Sequence, residues 1–175
     1  MSTMIRDARD DDMEMLLQIN NAAIPNVNPL DVPAMEHLRD QASYFRVAID
    51  NDQLAGFLIA LKPEADYHSQ NFTWFRQQFE DFVYIDRVVV AKPFRGLGIG
   101  RVFYPDIQSH AEQIAPMLTC EVNLEPRNDV SLLFHGTSGF HEVGQQMTED
   151  GTKRVSLLAK ELPSYAFVRK QYAAL

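Results

Sequence analysis

The chain is poor in cysteine, in basic residues and in long apolar runs. Cys120 is the only cysteine among 175 residues, so it cannot form an intrachain disulfide. The 16 Lys and Arg against 24 Asp and Glu give a net charge of −8, which argues against general nucleic-acid binding, since that binding depends on cations meeting phosphates. No stretch approaches the roughly 20 apolar residues of a membrane span, and the first residues lack the features of a secretory signal. We therefore expect a cytoplasmic protein with no nucleic-acid or membrane partner.

The overall composition is typical of a globular domain. Apolar residues make up 46% of the chain and charged residues 23%, both close to the average for globular proteins. A chain of this length buries roughly 70% of the surface that its unfolded form exposes, which is enough for one substantial core. Because no internal repeat, linker or low-complexity segment interrupts the chain, we expect residues 1–175 to form a single domain.

Hydrophobic periodicity predicts a mixed α and β chain in which hairpins flank one parallel crossover. The strands are predicted at 3–7, 44–49, 53–61, 83–90, 117–123, 140–147 and 153–162. The helices are predicted at 10–23, 32–42, 98–115 and 128–135. Turns are predicted at 50–52 and 149–151, where Asn, Asp and Gly cluster.

The stretch 63–82 is unusually rich in aromatic residues. Phe72, Phe75 and Phe79 share one face if the stretch is helical. Such a face indicates either a satellite core or a wall of a ligand pocket, since aromatic residues line both.

A glycine-rich turn between an apolar strand and a helix is the most informative feature of the sequence. Gly96, Gly98 and Gly100 let the main chain approach a ligand without Cβ clashes, and N–H groups at a helix start converge on an anion. Arg95 and Arg101 add positive charge at the two ends of the turn. The segment is therefore predicted to cradle a phosphate group.

Two classes of phosphate ligand fit this turn poorly. A Walker loop needs Gly-Lys-Ser/Thr, but Gly100 is followed by Arg101-Val102. A dinucleotide fingerprint needs a glycine where Arg101 stands, because a bulky side chain blocks close packing of the helix on the strand. Glu121 lies at the distance expected of a ribose-binding acid, so the dinucleotide interpretation stays open as the weaker one.

A third known spacing of arginine and glycine residues does fit the turn. Arg95-x-x-Gly98-x-Gly100 after an apolar strand resembles the acyl-coenzyme A signature of the GNAT superfamily of N-acetyltransferases. Asn128-x-x-Ser131-x-x-Phe134-His135-x-x-x-Gly139-Phe140 is similar to that family's Asn-x-x-Ala-x-x-Leu-Tyr-x-x-x-Gly-Phe block. The strand end Val88-Val89-Val90 also falls where the family places it, and Tyr67-x-Ser69-x-Asn71-x-x-Trp74-Phe75 resembles a segment of a bacterial subgroup.

The resemblance implies an α+β fold with α/β/α layers. The family has a mixed, mostly antiparallel, twisted sheet, which would here contain about six to seven strands beside about four helices. The segments 83–90 and 117–123 would form the one parallel pair, which splays apart where the pantetheine arm of the cofactor enters like an added strand.

The resemblance also implies acetyl-coenzyme A as co-substrate. The pantetheine arm would bond to the main chain of the strand end, the pyrophosphate would lie on the helix start, and Asn128 would reach the pantetheine or the splayed strand. Asn128 is equally well explained as a helix cap. The predicted cofactor-binding residues are Val88, Val89, Val90, Arg95, Gly96, Leu97, Gly98, Ile99, Gly100, Arg101 and Asn128.

Attack by an acceptor amine requires a base, and two carboxylates are candidates. Asp86 lies on the first strand of the parallel pair and Glu121 on the second, and Asn123 occupies a position where some relatives carry a glutamate base. The alternatives are a structural carboxylate linked to Arg87 for Asp86 and an ordinary salt bridge for Glu121.

His135 stands where many relatives carry a tyrosine that assists the departing thiolate. It is therefore a candidate general acid or hydrogen-bond donor to the thiolate, with a purely structural helix histidine as the alternative. Cys120 lies in a predicted buried strand, which favours packing over covalent catalysis. No metal site is predicted, since no metal-ligand spacing joins the other histidines, His37, His68, His110 and His141.

The predicted function is transfer of an acetyl group from acetyl-coenzyme A to a primary amine of a small molecule or peptide. A non-catalytic acyl-coenzyme A-binding or sensor domain is the alternative, because His135 and Asn123 depart from the family's tyrosine and glutamate. The C-terminal residues 165–175 are a candidate for docking on a second subunit, which would make a homodimer.

Overall fold

The computed structural model describes residues 3–148 and 150–172, in which strands and helices are interspersed. The strands are β1 (Met4–Asp7), β2 (Ala42–Asp50), β3 (Gln53–Leu61), β4 (Val83–Val90), β5 (Met117–Glu125), β6 (His141–Met147) and β7 (Arg154–Glu161). The α-helices are α1 (Met13–Asn21), α2 (Val32–Gln41), α3 (Gln70–Gln78), α4 (Ile99–Ala111), α5 (Asp129–Thr137) and α6 (Ser164–Tyr172). Short 3₁₀ turns at Asp10–Asp12 and Lys92–Phe94 precede α1 and α4.

The strands are ordered β1-β2-β3-β4-β5-β7-β6 in a seven-stranded sheet. β2 pairs antiparallel with β1 and β3, and β7 pairs antiparallel with β5 and β6. β4 and β5 run parallel, with Val83 opposite Leu118 and Tyr84 opposite Thr119. The predicted α+β class, the mixed sheet and its parallel pair are therefore confirmed.

The number of helices differs from the prediction. The described residues contain six α-helices, whereas about four were expected, because the aromatic stretch 63–82 and the C-terminal segment each form one. The predicted helix 98–115 is also shorter, since α4 ends at Ala111. Glu149 of the predicted turn 149–151 and residues 173–175 of the predicted docking segment lie outside the described residues.

The chain packs as two compact units, and β4 contributes residues to both. The first unit takes the residues up to 61 together with 85–107. Leu16 and Ile19 of α1 and Met35 and Leu38 of α2 are buried, and both helices contact β3. Their spacing of three residues places each pair on one helical face, so burial of these faces holds α1 and α2 on the strands.

The predicted hairpin of β2 and β3 closes through a two-residue turn. Asn51 and Asp52 have φ values of 49° and 61°, which is the conformation that a tight hairpin with right-handed twist requires. Asn and Asp tolerate this left-handed region better than other non-glycine residues. The conformation of the turn thus helps to set the register between β2 and β3.

The second unit takes residues 62–84 together with those from 108 onward. Phe72 and Phe75 of α3 are fully buried, and their ring centroids lie 5.2 Å and 5.8 Å from that of Tyr84. Phe82 joins the same cluster, 6.1 Å from Phe72. The aromatic stretch therefore supplies the core of this unit, in agreement with the packing interpretation of Phe72 and Phe75.

The α3 helix also packs closely on β6. A Cβ built on Gly144 would lie 2.6 Å from Cζ2 of Trp74, so the indole occupies the space that a side chain of β6 would fill. Gln70 donates a hydrogen bond of 2.8 Å to the carbonyl oxygen of Met147. Across the ranges 3–148 and 150–172, no helix has the length and apolar character needed to cross a membrane.

Gly56 of β3 lies where the backbone of β4 passes closest. A Cβ on Gly56 would lie 2.4 Å from the carbonyl oxygen of Val89 and 3.2 Å from Cα of Val90. Because both atoms belong to the backbone, no change of rotamer relieves the clash. We expect Gly56→Ala to lower the free energy of unfolding by about 2–3 kcal/mol, as measured by urea denaturation.

Gly136→Ala is the matched control. Outside the backbone of its own helix, a Cβ at Gly136 would meet no described atom within 4 Å, so alanine in this helical position should raise the free energy of unfolding by about 0.5–1 kcal/mol. Unchanged stability of Gly56→Ala would contradict the close approach of the two strands.

Candidate functional site

The glycine turn before α4 belongs to the first unit and is open to ligands. Gly96 and Gly98 have φ values of 78° and 86°, which lie in the left-handed region that favours glycine. A Cβ at either glycine would meet no described atom within 4 Å. Leu97 between them is 64% exposed. The turn thus presents its backbone, with no side chain from the described part of its unit lying over the two glycines.

Several N–H groups at the start of α4 are available to an anion. In the part of the chain that the structure describes, the N–H groups of Gly98, Ile99 and Gly100 donate no hydrogen bond, whereas that of Arg101 donates to the carbonyl of Gly98 at 2.9 Å. These groups lie in the first turn of a helix, where the dipole is positive. The residues therefore fit a phosphate group.

The two arginines of the turn are exposed. Arg95 donates from Nε to the carbonyl oxygen of Val90 at 3.1 Å, so its side chain folds back over the end of β4. Within the strand end, Val89 is buried while Val88 and Val90 are half-buried. The predicted cofactor-binding residues from 88 to 101 thus form one continuous stretch of the first unit.

Asp86 is engaged in a buried polar network of the first unit. Nε of Arg87 donates to Oδ2 of Asp86 at 2.6 Å, and the two side chains are only 4% (Asp86) and 6% (Arg87) exposed. Nη1 of Arg87 also donates to Oδ1 of Asn20 at 2.9 Å and to the carbonyl oxygen of Asn28 at 3.3 Å. Because a buried guanidinium needs a counter-ion and satisfied hydrogen bonds, this geometry favours the structural interpretation of Asp86.

Glu121 meets a buried tyrosine in the second unit. The hydroxyl of Tyr84 donates to Oε1 of Glu121 at 2.9 Å. Tyr84 is fully buried and lies opposite Thr119 in the parallel register, two residues before Glu121. The tyrosine thus fixes one carboxylate oxygen of Glu121.

Tyr84 is not among the site residues that the sequence predicts. The signal was present, because a tyrosine inside the apolar run Val83–Ile85 must find a partner for its hydroxyl once buried. Its partner, however, lies 37 residues away in the sequence, and only the parallel register identifies it.

The amides at the end of β5 are brought together through the main chain. The N–H of Asn128 donates to the carbonyl oxygen of Asn123 at 3.1 Å. The side-chain oxygen of Asn128 accepts from the N–H of Ser131 at 3.2 Å, so Asn128 caps α5. The side-chain oxygen of Asn128 thus acts as a helix cap, as one of the two interpretations expected. The contact of Asn128 with pantetheine stays a prediction.

His135 is a buried residue of α5. Its ring lies between Phe134 and Phe140, with centroid distances of 5.5 Å and 5.3 Å. Nδ1 is 2.7 Å from the carbonyl oxygen of Ser131, and because a carbonyl only accepts, Nδ1 carries the proton. Burial lowers the pKa of His135, so the imidazole is neutral at pH 7 with Nε2 unprotonated. This geometry favours the structural interpretation over a general acid.

The structure also bears on the role of the cysteine and on metal binding. Cys120 is buried, and burial raises the pKa of its thiol well above the ordinary value, which disfavours a nucleophilic thiolate. Among the residues that the structure describes, no three His, Cys, Asp or Glu side chains cluster in a way that could hold a metal ion.

A family profile described as "Acetyltransferase (GNAT) domain" matches residues 27–158. The chain belongs to the GNAT acetyltransferase family. The match spans three quarters of this GNAT protein and includes the glycine turn, Glu121 and the motif from Asn128 to Phe140. The predicted family is therefore confirmed. No curated protein sequence matched the chain.

Solved structures share the fold of this GNAT protein at low sequence identity. The ribosomal-protein-S18-alanine N-acetyltransferase of Escherichia coli has a TM-score of 0.70 at 15% identity, covering 91% of this chain and 94% of that one. Arabidopsis thaliana NAA60 with a bisubstrate analogue has a TM-score of 0.74 at 14% identity, covering 93% and 99%. Arabidopsis thaliana Naa50 with the bisubstrate analogue CoA-Ac-MVNAL has a TM-score of 0.67 at 16% identity, covering 93% and 100%.

The neutral, buried state of His135 makes the stability of this GNAT protein depend on pH. Since the pKa of His135 is lower in the folded chain, the unfolded chain binds more protons below its own pKa of about 6.5. The neutral imidazole therefore makes its full contribution to the free energy of unfolding above the unfolded-state pKa of about 6.5. That contribution is lost as the pH falls towards the lower pKa of the folded chain. We expect His135→Asn to flatten the fall in the free energy of unfolding between about pH 7 and pH 5, measured by urea denaturation.

Leu16→Ala serves as the control for this titration. Leu16 is fully buried, so its truncation should lower the free energy of unfolding at every pH without changing its slope, because no titratable group is removed. An unaltered slope in His135→Asn would show that the buried imidazole does not cause it.

Proposed function

We propose that this GNAT protein transfers an acetyl group from acetyl-coenzyme A directly to a primary amine of a small molecule or peptide. The observation that carries the proposal is the open glycine turn, where the N–H groups of Gly98, Ile99 and Gly100 donate no hydrogen bond within the described chain. A peptide acceptor is supported by the fold shared with the ribosomal-protein-S18-alanine N-acetyltransferase and with Naa50 bound to the bisubstrate analogue CoA-Ac-MVNAL.

The pyrophosphate of the cofactor is proposed to lie on the start of α4. The exposed guanidinium groups of Arg95 and Arg101 flank the turn and would add charge-assisted contacts. The main chain of residues 88–90 would bond to the pantetheine arm as an added strand does, and the side-chain N–H₂ of Asn128 would contribute a donor beside its capping oxygen. Acetyl-coenzyme A, when bound, supplies a thioester with a stable thiolate leaving group.

Glu121 is proposed as the base that accepts a proton from the acceptor amine. An alkylammonium with a pKa near 10.4 is only about one part in a thousand neutral at pH 7.4, a deficit of roughly 4 kcal/mol. A positioned carboxylate helps to offset that deficit. Tyr84 orients Glu121 through the 2.9 Å hydrogen bond to Oε1, whereas the carboxylate of Asp86 is bound by Arg87. Asn123, an amide on the same face of β5, would orient the acceptor by hydrogen bonding.

The remaining chemical demands are small. A main-chain N–H of residues 88–90 would stabilise the thioester oxygen as negative charge develops, a contribution of about 3 kcal/mol. A coenzyme A thiol should have a pKa near 8.5, like free cysteine, so the thiolate departs without a strong acid. His135 therefore contributes by holding α5 in place, and the reaction does not depend on a proton from its ring.

Binding and turnover together test this function. Wild-type protein should bind coenzyme A by calorimetry, and Gly98→Ala should weaken that binding by about tenfold because a Cβ in the left-handed region distorts the cradle. Gly151→Ala is the matched control, since Gly151 also has a positive φ of 66° and open surroundings. Equal binding by wild type and Gly98→Ala would contradict the proposed cradle.

Thiol release from acetyl-coenzyme A should then be followed against a panel of polyamines, amino acids and peptides with free N-termini. Release that depends on an amine, with an acetylated product seen by mass spectrometry, supports acetyl transfer. Tight coenzyme A binding without release across the whole panel would favour the acyl-coenzyme A sensor instead.

Glu121 and Tyr84 should separate chemistry from binding. We expect Glu121→Gln to lower kcat by about 100-fold and Tyr84→Phe by about tenfold, with the KM for acetyl-coenzyme A unchanged in both. Lys62→Met is the control in the same unit, because it removes an ion pair with Asp81 and a hydrogen bond to the carbonyl of Ile114. Wild-type kcat in Glu121→Gln would remove Glu121 from the mechanism.

A further inference from the structure

The orientation of α4 depends on more than its apolar face. Ile99, Phe103 and Ile107 are buried and recur every four residues, so they form one stripe that packs against the first unit. Burial of such a stripe is non-directional, so it does not by itself aim the first turn of the helix. The N–H groups at the start of α4, by contrast, are directional donors that must point at a ligand.

Pro105 weakens the connection between the start of α4 and the rest of the helix. Proline has no N–H, so the carbonyl of Arg101 cannot receive the hydrogen bond that residue 105 would otherwise donate. Arg101 is itself part of the predicted cradle. The first turn of α4 therefore needs an anchor close to Pro105.

Asp106, directly after Pro105, is held by two side chains of β2. The hydroxyl of Tyr44 donates to Oδ2 of Asp106 at 2.6 Å, and Nη1 of Arg46 donates to Oδ2 at 2.9 Å and to Oδ1 at 3.2 Å. Tyr44 is only 3% exposed, and residues two apart on a strand face the same side. These charge-assisted bonds are directional, unlike the apolar stripe.

The donors of this cluster are themselves fixed. Nε of Arg46 donates to Oδ1 of Asp7 at 2.9 Å, and its guanidinium carbon lies 5.2 Å from the centroid of the Tyr44 ring. Burial and the carboxylate of Asp106 raise the pKa of Tyr44, so the phenol keeps the proton that it donates. The group is thus built from β1, β2 and α4, and its hydrogen bonds hold it in one arrangement.

We propose that Asp106, Tyr44 and Arg46 form a clamp that positions the start of α4 for the pyrophosphate of coenzyme A. This inference rests on the proposed function, because it assigns the clamp to the same cradle. In this proposal the three side chains are positioning residues that act through α4 and are not ligands of the cofactor. Without the clamp, the first turn samples orientations in which its N–H groups miss the phosphate oxygens.

Asp106→Asn tests the clamp, because the amide keeps the size of the side chain but removes its charge. If the aligned turn falls to one fifth or one tenth of the molecules, the Kd for coenzyme A should rise by about 5- to 10-fold. Tyr44→Phe is a milder second variant that should move the Kd in the same direction. The Kd is measured by calorimetry well below the midpoint of thermal unfolding, and kcat at saturating acetyl-coenzyme A should not change.

Arg6→Met is the matched control within the same unit. Arg6 binds both oxygens of Asp12 at 2.7 Å and 2.8 Å and donates to the main-chain carbonyl of Asp7 at 3.0 Å. Its loss removes a similar arginine–aspartate pair that holds α1, while the carboxylate of Asp7 that binds Arg46 is kept. It should lower thermal stability about as much as Asp106→Asn while leaving the Kd for coenzyme A unchanged.

The outcomes separate the clamp from the proposed function. Unchanged coenzyme A binding in both clamp variants, or equal weakening in Arg6→Met, would overturn the clamp while leaving acetyl transfer intact. Failure of the wild-type protein to bind coenzyme A would instead overturn the proposed function, and the clamp with it.

Discussion

A helix cannot satisfy its first N–H groups from within, and this constraint governs the functional region of the first unit. At α4 no side chain in the described part of the chain caps those groups, in contrast to Asp31 at α2 and Asn128 at α5. Instead, glycines turn the backbone so that the amides face outward. The apolar stripe of α4 is buried beside this helix start, Arg95 folds back over the end of β4, and the cluster at Asp106 is proposed to position the first turn.

The two units meet different physical demands. The first holds polar backbone at its surface and buries a charged network, in which Arg87 joins β4 to α1 and to the segment after it. The second buries an aromatic core from which a single hydroxyl, that of Tyr84, reaches Glu121. In each unit a buried side chain holds a carboxylate by a hydrogen bond, Arg87 that of Asp86 and Tyr84 that of Glu121.

The sequence was sufficient for local features and insufficient for pairings between distant residues. The strand, turn and helix around Gly98 follow from periodicity and glycine chemistry, and the Asn128 block follows from its spacing. The bond between Tyr84 and Glu121 could not be predicted, because it depends on the register of two parallel strands. The roles of Asp86 and His135 were left open for the same reason, since burial and partners, and not residue type, distinguish a base or acid from a structural group.

The contact between α3 and β6 has a consequence for the behaviour of the protein at high concentration. β6 is the last strand of its edge of the sheet, and exposed edges invite pairing with strands of other molecules. Here Trp74 covers Gly144, Gln70 occupies the carbonyl of Met147, and Asn71 accepts a hydrogen bond from the side chain of Gln146. The side chains of α3 therefore take up part of β6, including one main-chain carbonyl that a strand of another molecule would otherwise bond.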